Sequence, residues 1–517
     1  MKNRDRFLLS IVFAALFILV HGYQFNNGDQ EEHLPYVYKL LDPSLYTNDY
    51  IVPIQSTQFT IRYYFAHLIR LGSFLMPVSA FVFFIYFLCL STFGFVIASV
   101  TEKMSKSKLA ASIALLLIII LNNFSVGGNS FFDIQLTSSC VALALGMLGY
   151  SYFEKEKYIS AAALCGLASL FQVLIGMQLF LLFMLGSIFT NTNDKLKTLL
   201  LQILFYLLFA GAMLFPLLQL QFGKLSSLES PIYFDILFNF RNAHHYNPAC
   251  FPLTDYLKTT CWWLLILFSI YSIRKENQYR NQVLFMLISL AGCIVYYIGF
   301  THFHLPSIGK TQWFKSTVWP GIIGVIPVAI YINNKIDNKI PNLKSWRTIQ
   351  YFVLIVSMLF IFNSALIPID KFKSRYKVGN YPQSHLEKMH EWISKNTDNK
   401  AVFLTMPNDD SFLCEAKRSM PVGYKAIIHQ PDFLLKWYDN MNAIYGVKLS
   451  HKTCRNISKE AAGIYHLRTD TSLSYTGRID YRLWNMELMD SSLIDWKALM
   501  HRESNILLLP FVKNVKQ

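Results

Sequence analysis

The sequence gathers acid–base groups into a few short segments. Residues 26–33 read Asn26-Asn27-Gly28-Asp29-Gln30-Glu31-Glu32-His33, three carboxylates and an imidazole in one stretch. A positioned carboxylate can take a proton from a hydroxyl, and carboxylates on a loop can hold a divalent cation. A solvated acidic turn has the same composition. Asp133 closes a second segment, Gly127-Gly128-Asn129-Ser130-Phe131-Phe132-Asp133, in which one carboxylate is a weaker signal. A third runs Arg241-Asn242-Ala243-His244-His245-Tyr246-Asn247-Pro248. Histidine there can act as general acid, metal ligand or phosphate contact. Consecutive side chains diverge on a regular backbone, so at most one of His244 and His245 is expected to face a given ligand. Arg62 and Arg70 within 57–71, and Lys310 and Lys315 beside Trp313, complete the cations. They can meet a phosphate, or simply anchor to headgroups and snorkel.

The elements that must position these groups are apolar. Of the 517 residues 53% are hydrophobic and only 15% charged, against about 25% charged in soluble domains, and the mean hydropathy is +0.32. Runs long enough to cross about 30 Å of hydrocarbon occur at 7–21, 74–100, 109–124, 136–153, 199–220, 259–273, 283–300, 316–332 and 349–367. Segment 159–189 is apolar throughout, yet Lys155 and Lys157 precede it and Lys195 and Lys197 follow it. Lysines at both ends place both ends inside, so the segment is expected to be a hairpin of two short helices bent near 172–176. The first segment lacks a small-residue cleavage site after Val20, His21, Gly22 and Tyr23, so an uncleaved helix is expected.

The resulting reading is a mainly α, polytopic helical membrane protein of about eleven transmembrane helices, N-terminus inside and C-terminus outside. Its membrane domain covers 1–367, with outside loops 22–72, 125–135, 221–258 and 301–315. The charge distribution agrees. Inside segments carry 17 basic and 7 acidic residues, outside loops 8 and 9, and the tail 22 and 16. The formal charge of +15 is thus a topology signal plus a mildly basic tail, and no nucleic-acid footprint remains. Segment 57–71, with Ile61, Phe65, Leu68 and Leu71, has the pattern of a helix lying in the interface. Ionisable residues are nearly absent from the spans, which disfavours an ion-coupled transporter.

Residues 368–517 read as a soluble extracytoplasmic α/β domain. Ser384 and Glu387 form a capping box opening a helix to about Asn396, 401–405 is a buried strand, 431–445 a second helix opened by Pro431, and 506–509 another strand. Cys89, Cys140, Cys165, Cys261 and Cys293 fall within spans as small apolar residues, Cys250 lies in an outside loop, and Cys414 could pair with Cys454 in an oxidising compartment.

A short first helix, a long outside loop opening with Asp29, an interfacial helix, Asp133 in a second loop, a short-helix hairpin and a soluble outside tail together resemble the GT-C superfamily of membrane glycosyltransferases. Asn27-Gly28-Asp29, the Arg241–Pro248 segment, Asn396-Thr397 with Arg418-Ser419, and Tyr424-Lys425 look like an uncharacterised bacterial branch of it. The resemblance implies an enzyme of the bacterial plasma membrane that moves a hexose or pentose, with inversion, from a polyprenyl-phosphate donor to a glycan, lipid or protein acceptor at the outer face. Asp29 would be the base or orient the acceptor, with Glu32 or Asp133 assisting. Arg62, Arg241, His244, His245, Lys310 and Lys315 would hold lipid phosphate or substrate. Mg²⁺ or Mn²⁺ on Asp29 and Asp133 would be the metal, although the family often has paired acids where Asp133 stands alone. The alternative is a non-catalytic transporter or assembly protein for lipid-linked glycans. The topology is testable: a cysteine at Gln172 should be labelled from outside by a membrane-impermeant thiol reagent and one at Lys195 should not, whereas outside labelling at Lys195 would invert every later loop.

Overall fold

Apolar runs in lipid must satisfy their own backbone groups, and helix is the local way to do it. The computed structural model describes residues 3–122, 124–128, 130–189, 194–222, 231–273, 279–337, 374–409, 411–450, 454–465, 467–468, 470–486 and 496–511. In chain order the longer helices are α1 (Asn3–His21), α2 (Gln30–Leu41), α3 (Tyr63–Ser73), α4 (Val78–Ser105), α5 (Lys108–Ile120), α6 (Ser138–Phe153), α7 (Tyr158–Phe171), α8 (Val173–Ile188), α9 (Lys195–Phe222), α10 (Leu253–Ser272), α11 (Arg280–Thr301), α12 (Val325–Asp337), α13 (His385–Asn396), α14 (Pro431–Tyr445) and α15 (Ile457–Tyr465). Strands β1 (Phe403–Leu404), β2 (Tyr481–Asn485), β3 (His501–Glu503) and β4 (Ile506–Pro510) follow the same order among the tail helices.

The chain forms two compact units. The first comprises Met1–Gln24, Val82–Pro216 and His244–Tyr376. Among the described residues four helical runs are long and apolar enough to cross a membrane: Val78–Ser105, Lys195–Gln219, Arg280–Thr301 and Pro306–Ile336. α5, α6, α7 and α8 are shorter and equally apolar. The expected span at 349–367 lies outside the described residues.

The break expected near 172–176 is present. Gln172 adopts an extended conformation between α7 and α8, and its side chain accepts a hydrogen bond from the Leu174 N–H at 3.2 Å, capping α8. Gly176 is required by the fold-back: a Cβ there would lie 2.2 Å from Ser169 Oγ and 2.4 Å from the Cys165 carbonyl oxygen. α6 packs along both helices of the pair. The five cysteines of the spans are free thiols, and Cys250 is disulfide-bonded.

The second unit comprises Phe25–Phe81, Leu217–Ala243 and Lys377–Gln517. The tail therefore does not pack as the isolated 368–517 domain that hydropathy marks out. Segments Phe25–Phe81 and Leu217–Ala243 belong to the same unit. Tyr46 is fully buried and donates its hydroxyl to the Leu413 carbonyl at 2.6 Å, while the buried Asp49 carboxylate accepts from the Met420 N–H at 2.9 Å and from the N–H groups of Ile51 and Val52. α3 buries Phe65, Ala66, Ile69 and Gly72 and leaves Leu71 on it and Ile61 just before it exposed, while Arg62 at its start pairs with Glu32.

In the tail the capping box forms as expected, Ser384 Oγ accepting from the Glu387 N–H and the Glu387 carboxylate from the Ser384 N–H. The four strands lie in the order β1-β2-β4-β3, with β1 parallel to β2 and the other pairs antiparallel. Cys414 is a free buried thiol and Cys454 is disulfide-bonded without it, so the 414–454 bridge is not made.

A buried charge network links α13 to the segment after β1. His390 is fully buried, with Nδ1 3.0 Å from Glu415 Oε2 and Nε2 3.0 Å from Asp409 Oδ2. Lys377 Nζ donates to Glu415 at 2.7 Å and Glu387 at 2.9 Å. Burial alone would lower the imidazole pKa, but the two carboxylates outweigh it and raise His390 from 6.5 to about 9. A folded-state pKa above the unfolded value gives stability that is full below about pH 6.5 and is lost as pH rises through about 9. The melting temperature should accordingly fall across that window, and His390→Gln should lower it while flattening the dependence. An unchanged slope in the variant would contradict the network's role.

Candidate functional site

The turn before α2 is dictated by its residues. Asn26 and Gly28 both have positive φ, 60° and 56°, the left-handed region that asparagine and glycine tolerate best. The Asn26 N–H donates to Gln30 Oε1 at 2.9 Å, and Asn26 Nδ2 donates to Asn380 Oδ1 at 2.9 Å. Asp29 stands at the helix start, its backbone carbonyl accepting from the N–H groups of Glu32 and His33. Its side chain is exposed and makes no capping hydrogen bond.

The next two acids are consumed. Glu31 Oε2 accepts from Lys425 Nζ at 2.9 Å. Glu32 Oε2 pairs with Arg62 Nη2, and Arg62 Nη1 donates to the Ile427 carbonyl at 3.0 Å. Arg62 and Glu32 side chains are only 6% and 14% exposed, so each charge depends on the other. His33, buried among these charges, stacks edge-on to Phe65 with ring centroids 4.9 Å apart, and its Nδ1 has no hydrogen-bond partner. Burial, reinforced by the Arg62 and Lys425 charges and only partly opposed by Asp29, lowers its pKa to about 3. It is a neutral imidazole at physiological pH.

Arg241 joins the cluster from the end of the π-helical turn Asp235–Arg241. Its Nη1 donates to Asn242 Oδ1 at 2.6 Å, its Nη2 to the Lys425 carbonyl, and its guanidinium lies over the Tyr424 ring at 4.7 Å. Its Nε is buried without a partner. Glu31 and Arg241 thus meet at Tyr424-Lys425, the Glu32–Arg62 pair reaches the same segment through the Ile427 carbonyl, and the Asp29 charge acts on His33. Glu31, His33 and Lys425 were missed as site residues; Tyr424-Lys425 stood out in the sequence only as a resemblance, without a role. Arg418 is structural. It donates to the Ser394 and Thr397 carbonyls at 2.7 and 2.8 Å, closing the C-terminus of α13.

The remaining expected site residues belong to the first unit. Gly127 and Gly128 have φ of 89° and 77°. A Cβ on Gly128 would lie 3.3 Å from the His245 ring and one on Gly127 3.5 Å from Lys315 Cγ. His245 Nδ1 lies 3.3 Å from the Gly127 carbonyl oxygen, so it carries the proton in that hydrogen bond. His244 is exposed, its ring centroid 4.0 Å from that of His245. Lys310 is half-buried. Asp133 Oδ2 accepts from Thr137 Oγ1 at 3.2 Å, beside the start of α6. Among the described residues no group of three or more His, Cys, Asp or Glu is placed to hold a metal ion.

Residues 384–444 match a family model described as a domain of unknown function (DUF6798). No curated protein matches the chain. The matched stretch contains His390, Asp409 and Glu415 of the buried network and Tyr424 and Lys425 of the α2 cluster.

Removing one partner of a buried ion pair strands the other charge, at a cost of about 3–5 kcal/mol. Glu32→Gln should therefore lower the unfolding temperature markedly, while the Glu32→Met/Arg62→Met double variant should recover most of the loss. Equal destabilisation of both would show that the pair is not what holds α2 to α3.

Proposed function

We propose that the protein is a GT-C-type membrane glycosyltransferase of about eleven spans, acting at the extracytoplasmic face of the bacterial plasma membrane. The observation that carries this reading is the division of labour at the start of α2: Glu31 and Glu32 are paired with Lys425 and Arg62, and Asp29 is left exposed with no capping bond. The disulfide-bonded state of Cys250 and Cys454 supports an oxidising compartment for the loop and tail that carry them.

In the reaction, the Asp29 carboxylate accepts the proton of the acceptor hydroxyl as its oxygen attacks the anomeric carbon. The bond from that carbon to the phosphate oxygen breaks on the opposite face, giving inversion, and its electron pair leaves with the polyprenyl phosphate. Arg241, with an unpartnered Nε, and Lys425 supply cations that stabilise the departing charge. Neutral His33 cannot compete as a cation, and its unprotonated ring keeps the cluster from gaining further positive charge.

Asp29→Asn should reduce sugar transfer from a polyprenyl-phosphate donor in reconstituted membranes by about 10²–10⁴-fold, with normal expression and unfolding temperature. Unchanged transfer in the variant would remove Asp29 as the base. Absence of transfer by the wild type across hexosyl and pentosyl donors would favour a non-catalytic transport or assembly role.

A further inference from the structure

Arg6 near the start of α1 and the C-terminal ends of α4 and α6 enclose a cleft of about 620 Å³, which no step of the proposed transfer uses. α4 contributes Phe95, Ser99 and Lys103, spaced four residues apart on one helix face and graded from apolar through hydroxyl to cation. Arg6, Lys106 and Lys155 add three further cations, against two carboxylates.

The lysines lie outside ion-pair distance of both carboxylates, although the Lys103 charge is felt at Glu154. Glu102 is paired with Arg6 at 2.7 Å, and the Glu154 side chain accepts from Asn281 Nδ2 at 3.2 Å. Lys103 donates to the Glu154 backbone carbonyl at 3.2 Å, and Lys155 Nζ sits 5.5 Å from the Tyr152 ring centroid. Among the described residues Lys103, Lys106 and Lys155 make no ion pair with a carboxylate. A surplus of cations with no carboxylate in ion-pair distance suits a phosphate group. The apolar continuation at Phe95 and Val100 suits a hydrocarbon-bearing phosphate.

We propose that this cleft binds the phosphodiester headgroup of an anionic membrane phospholipid, with Lys103, Lys106 and Lys155 around the phosphate and the glycerol and first acyl carbons against Phe95. The site takes lipid from the leaflet on the lysine-rich side, at the opposite end of α1 from the residues leading to Asp29.

The test is native mass spectrometry of the full chain released from nanodiscs of defined composition. The wild type should retain phosphatidylglycerol about tenfold over phosphatidylcholine, and Lys106→Gln/Lys155→Gln should lose about tenfold of that retention. Lys195→Gln/Lys197→Gln, on α9, should match the wild type. Neither inorganic phosphate nor glycerol 3-phosphate should displace the lipid at equal concentration. Equal retention of the two lipids by the wild type would overturn the proposal whether or not the variants fold. So would full retention by the first double variant, or displacement by inorganic phosphate, which would mark a soluble-anion site.

Discussion

Two ion pairs organise the second unit. A carboxylate or guanidinium removed from water is stable only when paired and hydrogen-bonded, and the first turn of α2 brings two carboxylates into such surroundings together. Lys425 answers Glu31 and Arg62 answers Glu32. One of these cations comes from the start of α3 and the other from the tail, so the two pairs tie α2 to both. The Tyr424-Lys425 segment then receives Arg241 through the Lys425 carbonyl and the Tyr424 ring. Asp29, by contrast, is exposed and makes no capping bond.

The same constraint recurs at His390. There a buried imidazole between Asp409 and Glu415 becomes a cation, and Lys377 shares Glu415 with it. At His33 the balance runs the other way: the neighbours are mostly cations and the ring stays neutral. Burial favours the neutral ring at both histidines; at His33 the nearby cations reinforce it, and at His390 two carboxylates overcome it. The first unit relies instead on close backbone approach. Gly176 lets α7 and α8 fold back on one another, and Gly127-Gly128 admits His245 and Lys315 to one turn.

Much of the local structure was legible. Lysines on both flanks of 159–189 marked the hairpin, and Gln172 breaks the helix where the charge pattern required. The Ser384 capping box and Pro431 fixed the starts of α13 and α14, and the apolar runs at 401–405 and 506–509 marked two of the four strands. β2 and β3 were not legible because polar and charged residues interrupt them: Arg482 is buried in β2 yet stacks on Trp484 and pairs with Asp470. The fate of Arg62 was invisible for a similar reason. Its apolar neighbours suggest a membrane-surface helix, and its pairing with Glu32, 30 residues earlier, is visible only in the structure. Asp29 could be singled out from its Asn-Gly turn, but the pairing that distinguishes it from Glu31 and Glu32 depends on residues 30 and 394 positions away.

The most direct measurement is a cryo-EM structure of the full chain with a polyprenyl-phosphate analogue bound. The expected result is phosphate density within hydrogen-bond distance of Arg241, both ion pairs of α2 intact, and the Asp29 carboxylate unpaired and facing the acceptor side. Phosphate density away from Arg241 and Lys425, or Asp29 recruited into a salt bridge while Glu32 is released from Arg62, would contradict the assignment of Asp29 as the base.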